Sequence, residues 1–289
     1  MFAAIEQIAI SESIAVSVIC AVLSVSRSGF HAWQTRGLSA RDERDEELMP
    51  LIRDIFWTHR RRYGARRIAV ELASRGEQCG VARVAKLLET QGLRAIQPKS
   101  FVPRTTNSRH RLGYSPNLLS ERDAPRRINE VWVGDITYIP THGGRFGYLS
   151  LLMDLYSRRV VGWEYQESMT DALVLSSLRK AIRNRQPPDD LIHHSDRGGQ
   201  YASHAYRAVL RRASMQQSMS DADNCYDNAF MESCFGTLKT ELELTEYADS
   251  LEAVRELSSY LRYYNQNRRH SSLGYLTPAD FESQSTVPI

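Results

Sequence analysis

Three carboxylates in this chain have surroundings that set them apart from ordinary surface acids. Asp135 interrupts the apolar run VWVGDITYI, Asp196 ends the run LIHHSD, and Glu232 lies within the helical pattern NAFMESCFGTLKTEL. Acids on two strand ends and one helix can converge on a pair of divalent cations, because hard cations accept shared carboxylate oxygens. Such a pair of cations activates an attacking oxygen and stabilises a leaving oxygen in phosphodiester chemistry. The three acids therefore predict a two-metal site.

Each acid taken alone also has an ordinary structural interpretation. Asp196 could open a turn, and Glu232 could be a solvated acid on a helix surface. This interpretation fits Asp135 poorly, because burying an unpaired carboxylate costs free energy. Asp154 also ends an apolar run, but two arginines follow it closely, which favours a structural ion pair or a turn. Zinc is not expected, since no Cys or His side chains have the spacing of zinc ligands.

Strand-like runs and helical patterns alternate from Val131 onward, and these elements must position the acids. The predicted strands are 131–140, 147–157, 158–166, 191–196 and 216–220, and the predicted helices include 170–185 and 203–214. Three antiparallel strands followed by strand–helix alternation are the ribonuclease H-like order. The pattern predicts an α/β core with a mixed five-stranded sheet and flanking helices, in which the three acids come together.

The chain is predicted to hold small all-α units before this ribonuclease H-like core. The expected segments are a helix-turn-helix-like unit at 1–45, a helical DNA-binding unit at 46–95, a basic extended linker at 96–127, and the catalytic core with its C-terminal helix at 128–289. A length of 289 residues agrees with one large domain or two smaller ones.

The first segment contains two predicted helices. Ser11 is expected to cap a helix that runs through Leu23, and Ser26 a second helix that begins at Arg27. The second helix would present Arg27 to DNA if the pair forms a helix-turn-helix, whereas in the alternative the helices only pack together. The apolar start of the chain carries two acids and no basic leader, which favours a packed helix over a membrane span or secretory signal.

A dense group of arginines surrounds a Tyr-Gly pair in the second segment. The group consists of Arg60, Arg61, Arg62, Arg66 and Arg67. A charged run is usually a solvated face, but five arginines beside a tight turn favour contact with DNA phosphates. The basic linker at 96–127 could track a DNA backbone, or serve as a plain tether, or do both.

Four further residues are predicted to contact DNA. Asn228 and Lys239 share a helical face with Glu232, so Asn228 could orient the carboxylate or touch DNA, and Lys239 could contact phosphate or simply be exposed. In the tail RYYNQNRRHSS, we expect the tyrosines to dock on the core and Arg268 and Arg269 to contact DNA.

The composition of the chain limits the cellular compartments in which the protein could work. The net charge of +3 is only mildly basic, and the hydrophobic and charged fractions are those of a globular protein. The four cysteines show no close pairing, which favours a reducing interior. Together these features favour a cytoplasmic protein that is not associated with a membrane.

Four strings resemble, in order and spacing, the OrfB-type transposases of the insertion-sequence-three family in the retroviral integrase superfamily. They are WVGDITYI, HHSDRGGQYAS, DNAFMESCFGTLKTE and YYNQNRRHSSLGYLTPADF. A fifth string, RRRYGARRIAVELASRG, is similar to the helical segment that precedes the catalytic core in those proteins. The likeness covers about residues 15–281.

The resemblance implies a DDE transposase in which Asp135, Asp196 and Glu232 bind two Mg²⁺ ions, with Mn²⁺ as a possible substitute. It implies cleavage and joining of DNA strands at the terminal inverted repeats of an insertion sequence, followed by integration into target DNA. Two DNA ends must be held together, so at least a homodimer is expected on DNA. The family also implies a possible fusion partner from an upstream reading frame, and the chain, which lacks sustained heptads, resembles the downstream product.

The chain departs from the family pattern after SMS, where Asp221, Ala222 and Asp223 replace a basic or glycine pair. Two added acids near the Glu232 helix could weaken the approach of DNA. Two other functions agree with part of the pattern: a ribonuclease H-like nuclease or junction resolvase that cuts without joining, and a degenerate relative that only binds DNA. The complete set of three acids argues against the second.

Overall fold

The computed structural model of the chain describes residues 1–35, 39–97, 113–120, 122–221, 229–243 and 246–285. The chain divides into two compact units, Met1–Ala95 and Ile96–Ile289. The predicted class, an α/β core preceded by small helical units, is confirmed. None of the helices within the described ranges is both long and apolar enough to span a bilayer.

The first unit begins with three short helices. They are α1 (Phe2–Ser11), α2 (Val16–Val22) and α3 (Arg27–Thr35), packed around Ile5, Ile19, Cys20 and Phe30. The prediction that Ser11 caps a helix is wrong, because Ser11 is the last residue of α1 and Ser13, with a φ of 52°, breaks the chain direction before α2. The cap at Ser26 is confirmed, since its Oγ accepts the Gly29 N–H at 3.2 Å.

Three further helices complete the first unit. They are α4 (Ala40–Thr58), α5 (Ala65–Ser74) and α6 (Val81–Thr90). Ser39 and Asp42 form a reciprocal capping box that fixes the start of α4. The apolar positions recur at helical spacing and meet in one core that includes Leu48, Ile52, Ile55, Phe56, Ile68, Leu72, Val84 and Leu87.

A five-stranded sheet forms the centre of the second unit. The strands are β1 (Val131–Thr141), β2 (Arg145–Asp154), β3 (Val160–Gln166), β4 (Ile192–Ser195) and β5 (Gln216–Met219), in the order β3-β2-β1-β4-β5. The first three strands are antiparallel, and β1, β4 and β5 are parallel to one another. The predicted mixed sheet is therefore confirmed, and β1 is its central strand.

Helices cover both faces of this sheet. They are α7 (Asp171–Arg185), α8 (Gly199–Ala202), α9 (His204–Arg212), α10 (Ala229–Glu241), α11 (Ser250–Gln266) and α12 (Pro278–Ser285). One apolar core lies between the sheet and α7, α8 and α9. The other lies between the opposite face and α10 and α11. Strands buried on both faces read as nearly continuous apolar runs, which is why β1 and β2 are so hydrophobic.

Candidate active site

Asp135 lies on the central strand and is only 9% exposed. Its Oδ1 accepts the backbone N–H of Ile136 at 2.7 Å. The preceding residue, Gly134, has the His193 ring against its backbone: a Cβ added there would lie 3.0 Å from Nε2 of that ring. Gly134 therefore leaves room for the His193 ring, and the next residue, Asp135, carries the carboxylate.

Asp196 follows the last residue of β4. Its Oδ1 accepts the N–H of Gly198 at 2.9 Å, and this bond shapes the turn that leads into α8. Asp196 therefore opens a turn, as its structural interpretation predicts. Asp196 itself is half-buried.

The parallel register brings Asp135 and Asp196 side by side. Gly134 is paired with Ser195, so the two aspartates occupy the next step on neighbouring strands. Adjacent strands lie about 4.8 Å apart. Side chains alternate along a strand, so Asp135 lies on the same face as Val133, which packs against α10 and α11.

A buried tyrosine lies near both aspartates. Burial raises the pKa of the Tyr201 phenol well above its usual value, and the charges of Asp135 and Asp196 raise it further. His193 lies on the same side of the sheet as Tyr201 and bonds to the Tyr206 hydroxyl at 2.9 Å. Burial lowers the pKa of His193 to about 3, so its ring is neutral near pH 7. These side chains form an uncharged support behind the two acids.

Glu232 lies in the first turn of α10 and is exposed. The buried side of this helix packs on the sheet through Met231, Cys234, Phe235 and Leu238. Lys239, two turns further along the Glu232 side, is half-buried with its Nζ 4.7 Å from the centre of the Tyr138 ring on β1. Burial lowers the pKa of Lys239, and the nearby charge of Asp135 opposes that shift. The side of α10 that carries Glu232 and Lys239 therefore faces β1.

Within the described ranges, no three His, Cys, Asp or Glu side chains are grouped so that they could hold a metal ion. Asp135 on β1 and Asp196 after β4 thus lie on neighbouring strands, and Glu232 lies on α10, which packs on the face of the sheet that carries Asp135. That the three acids form one metal site stays a prediction. The chemistry of the donors nevertheless fits Mg²⁺, because all three side chains offer only oxygen.

Arg197, the neighbour of Asp196, is held by three groups. Its Nε donates to the Ser220 carbonyl at 2.8 Å, its Nη2 lies 3.4 Å from an oxygen of Asp221, and its guanidinium stacks over Tyr114 at 4.9 Å. Asn117 donates to the same Asp221 carboxylate at 3.1 Å. Asp221 is therefore bonded to Arg197 and Asn117. Ala222 and Asp223 lie outside the described residues.

Part of the predicted basic linker packs on the core. Within 113–120, the Leu118 N–H donates to Ser218 Oγ at 2.9 Å, and the Met219 N–H donates to the Pro116 carbonyl at 3.3 Å. This stretch therefore runs along the outer edge of β5. The linker residues 98–112 lie outside the described residues.

The predicted DNA-contacting residues fall into different environments. Arg27, Arg60 and Arg66 are exposed, whereas Arg61, Arg62, Arg67, Lys239 and Arg269 are half-buried. The loop between α4 and α5 is sharply folded, with positive φ values of 49° at Arg60 and 63° at Arg61. Arg269 donates to the Tyr275 carbonyl at 3.2 Å. Asn228 lies outside the described residues.

Arg268 does not match the surface position predicted for it. Its guanidinium is buried and pairs with Glu241, the last residue of α10, at 2.8 Å. A buried and paired guanidinium does not face solvent, so this placement argues against a DNA contact. The reason is tertiary: the partner is 27 residues away, beyond the reach of any local pattern. The same applies to Glu282, which bonds to Arg185 in the core.

Family models place the chain among integrase-type proteins. An integrase core domain model matches residues 125–225, a second integrase core domain model matches 213–278, and an HTH-like domain model matches 43–101. Together with the mixed sheet and its paired aspartates, these matches define a polynucleotidyl transferase of the integrase type.

Two curated relatives align with nearly the whole chain. A 31 kDa protein of insertion element IS600 from Shigella sonnei is 41% identical over 268 residues, covering 92% of this chain and 98% of the relative. The transposase InsF of insertion sequence IS3A from Escherichia coli K12 is 38% identical over 274 residues, covering 93% and 94%. The chain therefore belongs to the IS3 family of insertion-sequence transposases.

Solved retroviral structures are more distant. A chain of the simian T-cell lymphotropic virus intasome, solved with a PP2A regulatory subunit, is 19% identical with a TM-score of 0.47, over 83% of this chain and 76% of that one. The HTLV-2 integrase catalytic core in complex with magnesium is 19% identical with a TM-score of 0.44, over 54% and 97%.

Proposed function

We propose that this transposase cleaves and joins DNA strands at the terminal inverted repeats of its insertion sequence and integrates the element into target DNA. The observation that carries the proposal is the parallel register that sets Asp135, in the middle of β1, beside Asp196, which follows the carboxyl end of β4. Ligand sites in open α/β sheets commonly lie at the carboxyl ends of parallel strands. Family membership supports the same chemistry.

Asp135, Asp196 and Glu232 would hold two Mg²⁺ ions, with Mn²⁺ as a possible substitute. When bound, such ions activate the attacking oxygen and neutralise charge on the leaving oxygen. Asp135 is the most buried of the three acids and would hold the ions together with Asp196. Glu232 would complete the set of ligands from the facing helix α10.

Substitution of the acids tests this assignment. In Glu232→Gln and Asp135→Asn, cleavage and joining of labelled DNA carrying the terminal repeat should fall at least about 100-fold in Mg²⁺ or Mn²⁺, since charge stabilisation is lost where the reaction needs it. Folding and DNA affinity should be unchanged. The matched control Glu256→Gln, on the surface of α11, should keep full activity.

The products of the same assay separate the competing functions. A transposase yields joined strands, a nuclease or resolvase yields only cleaved strands, and a protein that only binds DNA yields neither. Full activity in Glu232→Gln would refute the catalytic assignment.

DNA binding would rest in part on the helical unit with the HTH-like domain match at 43–101. The exposed Arg60 and Arg66 flank the folded loop before α5 and would contact phosphates, with the neighbouring Arg61, Arg62 and Arg67. Arg27, Lys239 and Arg269 are further candidates. The working assembly would be at least a homodimer on two DNA ends, and a product of an upstream frame could be a fusion partner. We place this activity in the bacterial cytoplasm, at the nucleoid.

Removal of the two exposed arginines tests the phosphate contacts. Arg60→Ala and Arg66→Ala should each weaken DNA binding on every sequence and reduce the slope of log affinity against log salt by about 1. Fluorescence anisotropy at several salt concentrations measures both quantities. Arg255→Ala, which removes an exposed arginine of α11, serves as the matched control; a wild-type salt slope in both loop variants would exclude these contacts.

A further inference from the structure

A buried ion pair lies at the C-terminal end of α10, the helix that carries Glu232. Arg268 and Glu241 are 5% and 7% exposed. The Arg268 Nε donates to both carboxylate oxygens of Glu241 at 2.9 and 3.0 Å, and its Nη2 donates to Oε1 at 2.8 Å. A planar guanidinium that meets a carboxylate in this way fixes direction as well as distance.

Aromatic residues of α11 and the segment after it surround the pair. The Tyr260 hydroxyl donates to Glu241 Oε2 at 3.1 Å. The Arg268 guanidinium stacks on the Tyr264 ring at 5.5 Å, and its Nη1 lies 3.3 Å from the His270 ring, which is itself edge-on to Tyr264. Burial lowers the pKa of Arg268, but the charge and the hydrogen bonds of Glu241 together outweigh burial and raise that pKa, so Arg268 stays charged.

Stability alone does not account for this arrangement. Taking two charges out of water is expensive, and apolar side chains of similar volume often serve stability equally well. Apolar side chains of α10 such as Met231, Phe235 and Leu238 pack on the sheet. Apolar packing is non-directional, so it tolerates small shifts of a helix. At Glu241, by contrast, α10 makes directional bonds to Arg268 and Tyr260.

The geometry of α10 transmits this constraint to the active site. Glu232 and Glu241 lie on the same helix, nine residues apart, which corresponds to about 13.5 Å. A small tilt of α10 about its Glu241 end therefore displaces the Glu232 carboxylate, because Glu232 lies at a distance from the point of rotation. Displacements of about 1 Å in an active site can slow a reaction roughly 100-fold.

We propose that Arg268 and Glu241 are positioning residues that set the direction of α10 and thereby deliver Glu232 to the Asp135–Asp196 pair. This inference rests on the proposed catalytic role of Glu232. It also gives Arg268 a function other than DNA contact.

The first test uses single substitutions that disturb the pair with little change in volume. In Glu241→Gln and Arg268→Lys, strand joining should slow by about 10- to 100-fold, as for other groups that orient metal ligands, and the Mg²⁺ concentration for half-maximal rate should rise. DNA affinity and its salt slope, measured without metal, should match the wild type. Arg262→Ala, on the exposed side of α11, should leave all three quantities unchanged.

A double substitution separates positioning from stability. Arg268→Met with Glu241→Leu removes both charges and should recover the thermal midpoint that the single variants lose. The proposal expects slow joining and a raised Mg²⁺ requirement to persist in this stable variant. This double variant also decides the matter if the single variants do not fold.

Two results would overturn the proposal. Wild-type joining and Mg²⁺ dependence in the stable double variant would reduce the pair to a structural role. A lower DNA affinity with a smaller salt slope in the double variant, which lacks the Arg268 charge, would return Arg268 to the DNA interface. Full activity in Glu232→Gln is a different result, because it would refute the catalytic assignment itself.

Discussion

At Gly162, strand β3 approaches α7 so closely that a side chain has no room. A Cβ at this position would lie 2.5 Å from the Ser177 carbonyl oxygen and 2.7 Å from the Ala181 Cβ. Backbone and Cβ atoms cannot rotate away, so the strand or the helix would have to move. The glycine therefore sets the distance between the sheet and the helix that covers it.

Substitution of this glycine has a predictable effect on stability. Gly162→Ala should reduce the free energy of unfolding by about 1–3 kcal/mol through overpacking. Gly236→Ala is the matched change: Gly236 lies inside α10 with open space around it, so alanine should raise stability by about 0.5–1 kcal/mol. Urea unfolding of the two variants measures both; a neutral Gly162→Ala would show that α7 has more freedom than its contacts indicate.

Single residues also show how much of the site can be predicted from the sequence alone. Asp135 stood out because a carboxylate interrupts an apolar strand, and its position beside Asp196 agrees with that expectation. The interpretation of Asp154 as a turn residue is confirmed, since its Oδ1 accepts the N–H groups of Tyr156 and Ser157. The sequence predicts a DNA contact for Arg268, and nothing local to the chain indicates its partner on α10.

At the scale of elements, the C-terminal helix α12 is fastened by one buried acid. Glu282 accepts two bonds from Arg185 at 2.8 Å each and one from Arg159 at 2.6 Å. Ser157 donates to the same carboxylate at 2.8 Å. Burial raises the pKa of Glu282, but the bonds from Arg185 and Ser157 outweigh it and lower the pKa below its usual value.

This lowered pKa predicts how acid affects α12. The stabilisation by ionised Glu282 is complete above the unfolded pKa near 4.5 and is lost as the pH falls through the lower folded pKa. Glu282→Gln should lower the unfolding free energy at pH 7 by about 3 kcal/mol, because Arg185 is left buried without its charge partner. Its stability should then depend less on pH between about 5 and 3 than that of the wild type.

Chemical denaturation at several pH values measures this prediction. Asp123→Asn, which breaks the exposed pair with Arg126, is the control and should change stability by less than about 1 kcal/mol. If Glu282→Gln showed the same acid dependence as the wild type, other carboxylates would govern the loss of stability.

The elements themselves were largely predictable, and their pairing was not. The predicted first strand, 131–140, agrees with β1 at Val131–Thr141, because alternating and continuous apolar runs are strong local signals. The sequence pattern does not indicate the break between α1 and α2. Serine is typical of the start of a helix, but the residue type alone does not show that Ser11 instead ends one. The register of β1 with β4 depends on contacts between segments 60 residues apart, and local periodicity carries no information about it.

At the scale of the whole molecule, the two compact units have separate apolar cores. The clusters built on α1–α3 and α4–α6 contain only residues of Met1–Ala95, and both clusters of the sheet contain only residues of Ile96–Ile289. Each unit therefore has its own source of hydrophobic stabilisation.

Separate cores predict separate unfolding. Differential scanning calorimetry of the full chain should show two transitions, and the isolated fragment 96–289 should unfold within a few degrees of one of them. Gly162→Ala should shift only that transition, which identifies it as the sheet unit. A single transition, shifted as a whole by Gly162→Ala, would show that the units are coupled.

The course of residues 115–118 along β5 has a consequence for assembly. An uncovered strand at the margin of a sheet is a template onto which another chain can add a strand. Here Pro116 and Leu118 already bond to Met219 and Ser218, so that margin is closed from within the same polypeptide. A second copy of the chain therefore cannot lengthen the sheet by adding a strand at β5.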